Sequence, residues 1–164
     1  MFKLLGTLTP RHVLLLCALF GLTLTVGAFV LEYGFDAKPC HLCWLQRYGH
    51  WALAACALLG YLWPRLTTPA FTGVLASTFY GLALATYHTG VEQKIFPAPE
   101  GCSSTGALST NMADFMASLS APSAIVPCDQ VGFTLFGLSL AAWNIFAMAG
   151  VLIGLFVWWR AVVR

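Results

Sequence analysis

Charge is the scarcest resource in this sequence. Asp, Glu, Lys and Arg together make up 9% of the 164 residues, against roughly 25% in soluble domains. So few charges cannot clothe a water-soluble globule, which excludes an ordinary soluble enzyme and leaves lipid as the main solvent. Basic runs are also lacking. Eight Lys and Arg against six Asp and Glu leave a net charge of +2, which argues against nucleic acid as a partner. What is abundant is apolar: hydrophobic residues make up 59% of the chain.

That excess is organised into long runs. A bilayer core takes roughly 20 apolar residues in a helix, and four segments qualify, at about 13–31, 43–63, 70–88 and 133–159. Only Arg47 interrupts the second near its start. The expected fold is all-α, a single membrane domain over residues 1–164 built as an integral four-helix bundle. Residues 32–39 make a short first connection and 64–69 a tight turn. Residues 89–132 make a long loop rich in Pro, Gly and Ser, of a length that is usually functional or disordered. Within it, Met112, Phe115, Met116 and Leu119 fall on one side of a helix over 109–119, the pattern of a segment lying on a membrane surface.

Orientation follows from the cations at the helix ends. Lys3, Arg11, Arg65, Arg160 and Arg164 fall on one side. Lys38 and Lys94 fall on the other, with all six acids: Glu32, Asp36, Glu92, Glu100, Asp114 and Asp129. Both termini are therefore expected in the cytoplasm, with the first and third loops outside. A competing reading takes Lys3, Arg11 and the following apolar run as a signal peptide cleaved near Ala28. The run continues to Leu31, longer than such a segment, and the second helix would still begin outside.

This topology sorts the six cysteines. Cys17 and Cys56 fall inside helices one and two, where a cysteine serves as a small apolar residue. Cys40, Cys43, Cys102 and Cys128 all fall outside, where disulfides form and persist. Cys40 and Cys43 form a C-x-x-C pair, a dithiol redox spacing, at the start of helix two. The partial positive charge there favours a thiolate. Arg47 lies four residues beyond Cys43, about 6 Å along the axis on the same side, placed to stabilise a Cys43 thiolate and to hydrogen-bond a quinone carbonyl. A simpler role for Arg47 is to snorkel to the headgroups.

The second pair, Cys102 and Cys128, lies among Pro99, Gly101, Pro122 and Pro127. Either it staples the loop, or it is an accessible, labile disulfide open to an attacking thiolate. His88, at the outer end of helix three, is either interfacial or a second polar contact to a quinone. His41 sits between two cysteines and is read as tuning their potential. His12 is read as interfacial. His50, on the same side as Cys43 but deeper, is placed to line a cavity.

The stretch C-H-L-C-W-L-Q-R, Cys40 to Arg47, resembles the bacterial disulfide bond formation protein B family. So do P-C-D-Q-V-G-F-T-L-F-G-L-S-L-A-A-W-N, Pro127 to Asn144, and Y-H-T-G-V-E, Tyr87 to Glu92. The likeness implies an inner-membrane oxidase that reoxidises a periplasmic thiol oxidase of the DsbA type and reduces ubiquinone or menaquinone, without a metal. It implies Cys40, Cys43, Cys102 and Cys128 as the catalytic residues. The partner would attack Cys102 of a Cys102–Cys128 disulfide, electrons would pass through a Cys40–Cys128 link, and Cys43 would emerge as a thiolate beside the quinone. Arg47 and, less closely, His88 match quinone-contacting positions; Gln46 receives no role. Two alternatives remain at this point. One keeps the chemistry but serves a dedicated client, or runs as a reductase like vitamin K epoxide reductase. The other is a metal-binding or structural membrane protein, with the four outer cysteines as a zinc site.

Overall fold

The computed structural model describes residues 7–99, 102 and 126–163. The expected surface segment over 109–119 lies outside the described residues. Four long helices dominate the rest: α1 (Pro10–Phe35), α2 (His41–Leu62), α3 (Thr67–Glu92) and α4 (Leu140–Val163). They form an all-α bundle in which α2 packs against α1 and α3, and α3 packs against α4. A 3-10 turn, Pro64–Leu66, reverses the chain between α2 and α3.

Three of these helices, with Pro64–Leu66 continuing into α3, are long and apolar enough to cross a membrane. Large apolar side chains point outward from them, among them Leu16, Leu19, Val26, Phe79, Ile153 and Phe156. Apolar surface on this scale is what a lipid-solvated bundle presents. α2 is the least apolar because it carries Gln46, Arg47 and His50. Its 22 residues still span about 33 Å, enough for a hydrocarbon core of about 30 Å. All three polar side chains are buried in the bundle with Leu42, Leu53 and Ala57. The hydroxyls of Thr23, Thr25, Thr78 and Thr86 each donate to the carbonyl one turn earlier, at 2.6–2.9 Å, as groups without water must.

Local signals set the helix ends. Thr9 caps α1, its hydroxyl accepting from the His12 N–H, and Pro10 fills the first turn. Asp36, at φ 51°, turns the chain off α1 while the Ala37 N–H donates back to the Leu31 carbonyl.

Two boundaries differ from expectation in ways that matter for the site. α3 continues one turn past His88 to Glu92, so His88 lies within the helix. The fourth helix starts at Leu140, not at 133. The apolar run 133–139 instead forms a hairpin, β1 (Thr134–Leu135) pairing antiparallel with β2 (Leu138–Ser139). Its two turn residues, Phe136 and Gly137, have φ of 52° and 79°, as a tight hairpin turn requires. Ser139 then caps α4 by accepting from the Ala142 N–H at 3.1 Å.

Two buried clusters occupy opposite ends of the bundle. One gathers Leu14, Cys17, Leu53, Ala57, Val74 and Leu155, with Cys56 packed against it, so Cys17 and Cys56 are packing residues. The other gathers Cys40, Leu42, Val91, Cys102 and Cys128.

Close helix approach depends on small residues, as in lipid-embedded bundles generally. A Cβ added at Gly21 on α1 would lie 3.0 Å from the His50 carbonyl on α2, and one at Gly60 on α2 would lie 2.3 Å from Ala70 Cβ on α3. Gly60→Ala is therefore expected to cost about 1–3 kcal/mol, read as a lowered midpoint of denaturation in mixed micelles. Adding Ala70→Gly should recover most of the loss. An unchanged midpoint in the single variant would contradict this packing.

Candidate functional site

Cys40 is the N-cap of α2. Its sulfur accepts a hydrogen bond from the Cys43 N–H at 3.3 Å and lies 3.0 Å from the Cys43 sulfur. His88 Nε2 on α3 stands 3.5 Å from Cys40 Sγ. The extra turn of α3 brings the Glu92 carboxylate 3.8 Å from that same nitrogen. Gln46 Nε2 lies 3.4 Å from His88 Nδ1, and His88 is almost wholly buried.

These contacts favour an anion on Cys40. The hydrogen bond with Cys43 is the largest cause, and His88 adds hydrogen bonding and charge. Against the opposing effect of burial, they hold the Cys40 thiol below its ordinary range. The helix start favours a thiolate in this dithiol, and Cys40 is the sulfur that the Cys43 N–H reaches.

The hydrogen bonds of Arg47 run to α1. Its guanidinium pairs with the Glu32 carboxylate of α1 and donates to the Ala28 carbonyl at 3.3 Å. It is sandwiched between the rings of Phe29 and Trp44, 4.9 and 4.8 Å from their centroids. The interfacial, snorkelling role is thereby set aside: a buried arginine needs a counter-charge, and α1 supplies it. In the sequence Glu32 stands out only as an outer acid. The signal for its role was Arg47 itself, since a cation inside a membrane helix calls for a carboxylate on a neighbouring one.

Cys102 and Cys128 form a disulfide. The two residues are 2% and 0% accessible, so of the two readings, a loop staple and an accessible disulfide, the buried one is what this structure holds. They sit in one buried cluster with Cys40, and Cys43 packs against it. The chain after α3 folds back to make this possible. Ile95 and Phe96 donate to the Gly90 carbonyl, Phe96 stacks on Tyr87, and the Tyr87 hydroxyl donates to the Pro97 carbonyl at 2.8 Å. A Cβ at Gly90 would run into the Phe96 ring, so any larger residue there would push that ring off its place. Lys94 Nζ clamps the far side, reaching the Asp129 carboxylate and carbonyl, each at 2.7 Å.

Beneath Cys40 and Cys43 lies a cavity of about 270 Å³ between α1 and α4, with mostly apolar walls. Cys43, Gln46, Arg47 and His50 line it from α2, and His88 and Glu92 from α3. It is near the size of small-ligand pockets, which combine apolar walls with a few polar groups. Arg47 and His88, both expected to contact a quinone, are thus brought to the same cavity as the first cysteine pair, and His50 lies deeper within it.

A four-cysteine zinc site is not what the structure holds, since two of those sulfurs are joined in a disulfide. Cys40, Cys43 and His88 could share an ion, their ligand atoms lying within 4.8 Å of one another.

Comparison with known proteins agrees with this architecture. The family model described as disulfide bond formation protein DsbB matches residues 10–158. The chain is also similar to a disulfide bond formation protein B of Marinobacter nauticus, with 28% identity over 158 residues, 93% of this chain and 94% of that protein. A lipid-solvated helical bundle that gathers two cysteine pairs at one end thus belongs to the DsbB family of disulfide-forming membrane oxidoreductases.

Proposed function

We propose that this protein is a quinone-dependent thiol oxidase of the bacterial inner membrane. It reoxidises a periplasmic DsbA-type thioredoxin-fold protein and delivers the electrons to ubiquinone or menaquinone. Both termini are cytoplasmic and both cysteine pairs periplasmic. The observation that carries this reading is the meeting of two cysteine pairs in one buried cluster, one of them opening on an apolar cavity between helices. A protein dithiol and a lipid-borne acceptor can then be served from opposite sides of the same sulfur cluster.

The exchange runs through named sulfurs. The partner's thiolate attacks Cys102 and frees Cys128. Cys128 attacks Cys40 of a Cys40–Cys43 disulfide, and Cys43 leaves. The partner's second thiol then releases Cys102, which attacks Cys128 and expels Cys40. A thiol of low pKa leaves fastest, so the anion-favouring contacts of Cys40 suit this last step. Because the Cys102–Cys128 disulfide is buried, the partner must first displace part of its cover. Val126 and Ala98 are part of that cover.

The cavity fits a quinone headgroup by its size, its apolar walls and its polar groups. Bound there, a quinone supplies an acceptor for two electrons and two protons. Arg47 offers a fixed cation at the wall, held by Glu32, Phe29 and Trp44. His88 holds a polar contact beside Cys40. Glu32 acts through Arg47 and is a positioning residue.

Purified protein mixed with ubiquinone and a reduced DsbA-type partner should bleach the quinone absorbance over many turnovers. Absence of quinone reduction with every such partner would defeat the proposal. Arg47→Ala should raise the quinone KM about ten- to hundredfold, the scale of a hydrogen bond to a charged group, while the Cys102–Cys128 disulfide still forms. Unchanged quinone kinetics would reject the role given to Arg47. The reduced protein should also keep a Cys40 thiolate as pH falls below the ordinary thiol range, and lose it only at acidic pH. Because a depressed thiol stays ionised above its own pKa, rapid alkylation of Cys40 should persist through neutral and mildly acidic pH. Cys43→Ala should move the onset of alkylation upward, towards 9.0. An onset unmoved by that substitution would show that Cys43 does not stabilise the anion.

A further inference from the structure

The inner end of the cavity carries polar groups that none of this chemistry uses. His50 on α2 and Asn144 on α4 both line the cavity, and each is 7% exposed. His50 Nε2 and Asn144 Oδ1 are 3.0 Å apart. Their remaining polar atoms, His50 Nδ1 and Asn144 Nδ2, are buried without a hydrogen-bond partner among the described residues. Buried polar atoms are nearly always paired, so two orphans on one hydrogen-bonded pair point to an external partner.

What the pair offers follows from elementary valence. A neutral imidazole has one donor and one acceptor nitrogen, and an amide has a donor and an acceptor end. If the His50 Nε2–H donates to Asn144, then Asn144 Nδ2 is left to donate and His50 Nδ1 to accept. If ring tautomer and amide are both reversed, the labels exchange, but one donor and one acceptor remain free. This outcome does not depend on how the protons are assigned.

Position narrows the ligand. His50 follows Arg47 by three residues, on the same side of α2 and about 4.5 Å further along the axis. The cavity therefore has a cation near the sulfur end and a donor–acceptor pair beyond it, with apolar walls around both. We propose that His50 and Asn144 form a second polar subsite, which takes the far oxygen of a 1,4-quinone whose near oxygen lies towards Arg47. This inference rests on the proposed quinone-dependent activity. The free donor suits a carbonyl oxygen and the free acceptor suits a hydroxyl, so the subsite holds the ligand both before and after reduction.

The balance requires nothing more of the pair. Oxidation of a Cys40 thiolate and a Cys43 thiol to the disulfide releases two electrons and one proton; conversion of a quinone to a quinol takes up both electrons, that proton, and a second one from water, to which Cys40 gave its own on ionising. His50 and Asn144 bind the ligand and undergo no net change of charge.

Infrared difference spectra of the detergent-solubilised full-length protein test this, using a short-chain ubiquinone isotopically labelled at one carbonyl carbon at a time. In the wild type, both carbonyl bands should lie below their positions in detergent alone. In Asn144→Leu, one band should return to the free position while the other stays, and the quinone KM should rise about tenfold. Exchange between the two cysteine pairs should continue unchanged. The swapped variant, His50→Asn with Asn144→His, keeps one donor and one acceptor and should restore the lowered band. Only one lowered band in the wild type, or two lowered bands in Asn144→Leu, would overturn the subsite and leave the oxidase reading intact. A wild type that neither binds nor reduces the quinone would overturn both.

Discussion

Helix α2 must carry an arginine, a glutamine and a histidine through a lipid-solvated bundle, and each needs a partner that water cannot supply. Each finds it on a different helix. Arg47 pairs with Glu32 of α1, Gln46 reaches His88 of α3, and His50 meets Asn144 of α4. An unpaired charge in such a place costs several kcal/mol, so these contacts are far from optional. They fix which helices surround α2 and which side of it faces inward. The cavity takes its polar wall from that inward side.

The same helix sets the chemistry. Its first turn holds Cys40 as a cap and brings Cys43 against it. Its next two turns present Arg47 and His50 to the space between α1 and α4. Sulfur, cation and imidazole are thus spaced along one rigid rod, with Asn144 meeting the last of them from α4. The second cysteine pair reaches this rod because the chain beyond α3 folds back over Tyr87 and is clamped by Lys94 to Asp129. That disulfide is buried with Cys40, so the two cysteine pairs share one enclosed cluster.

Much of this was legible in the sequence because lipid solvation writes itself plainly. Long apolar runs, cations at their ends and a C-x-x-C beside the start of one run are local signals. They were enough to expect four helices and to separate Cys17 and Cys56 from the other four cysteines. What was not legible depended on tertiary partners. Arg47 was read along its own helix, towards Cys43, whereas its guanidinium crosses to Glu32. The run 133–139 is apolar enough for a helix, but the turn at Phe136 and Gly137 makes it a hairpin. Proline and glycine around Cys102 leave a loop staple and an accessible disulfide equally open, and the contacts that bury the pair span distant parts of the chain. The anion-favouring contacts of Cys40 include His88, forty-eight residues away, which no local pattern reports.

The central claim is a direction: electrons pass from the Cys102–Cys128 pair to the Cys40–Cys43 pair and leave through the cavity. Single-turnover quinone reduction by two prereduced variants measures it most directly. A protein with Cys102→Ser and Cys128→Ser should reduce one equivalent of ubiquinone as fast as the prereduced wild type. A protein with Cys40→Ser and Cys43→Ser should reduce none while its Cys102 and Cys128 thiols remain intact. Quinone reduction by the second protein, or its loss in a well-folded preparation of the first, would contradict the order proposed.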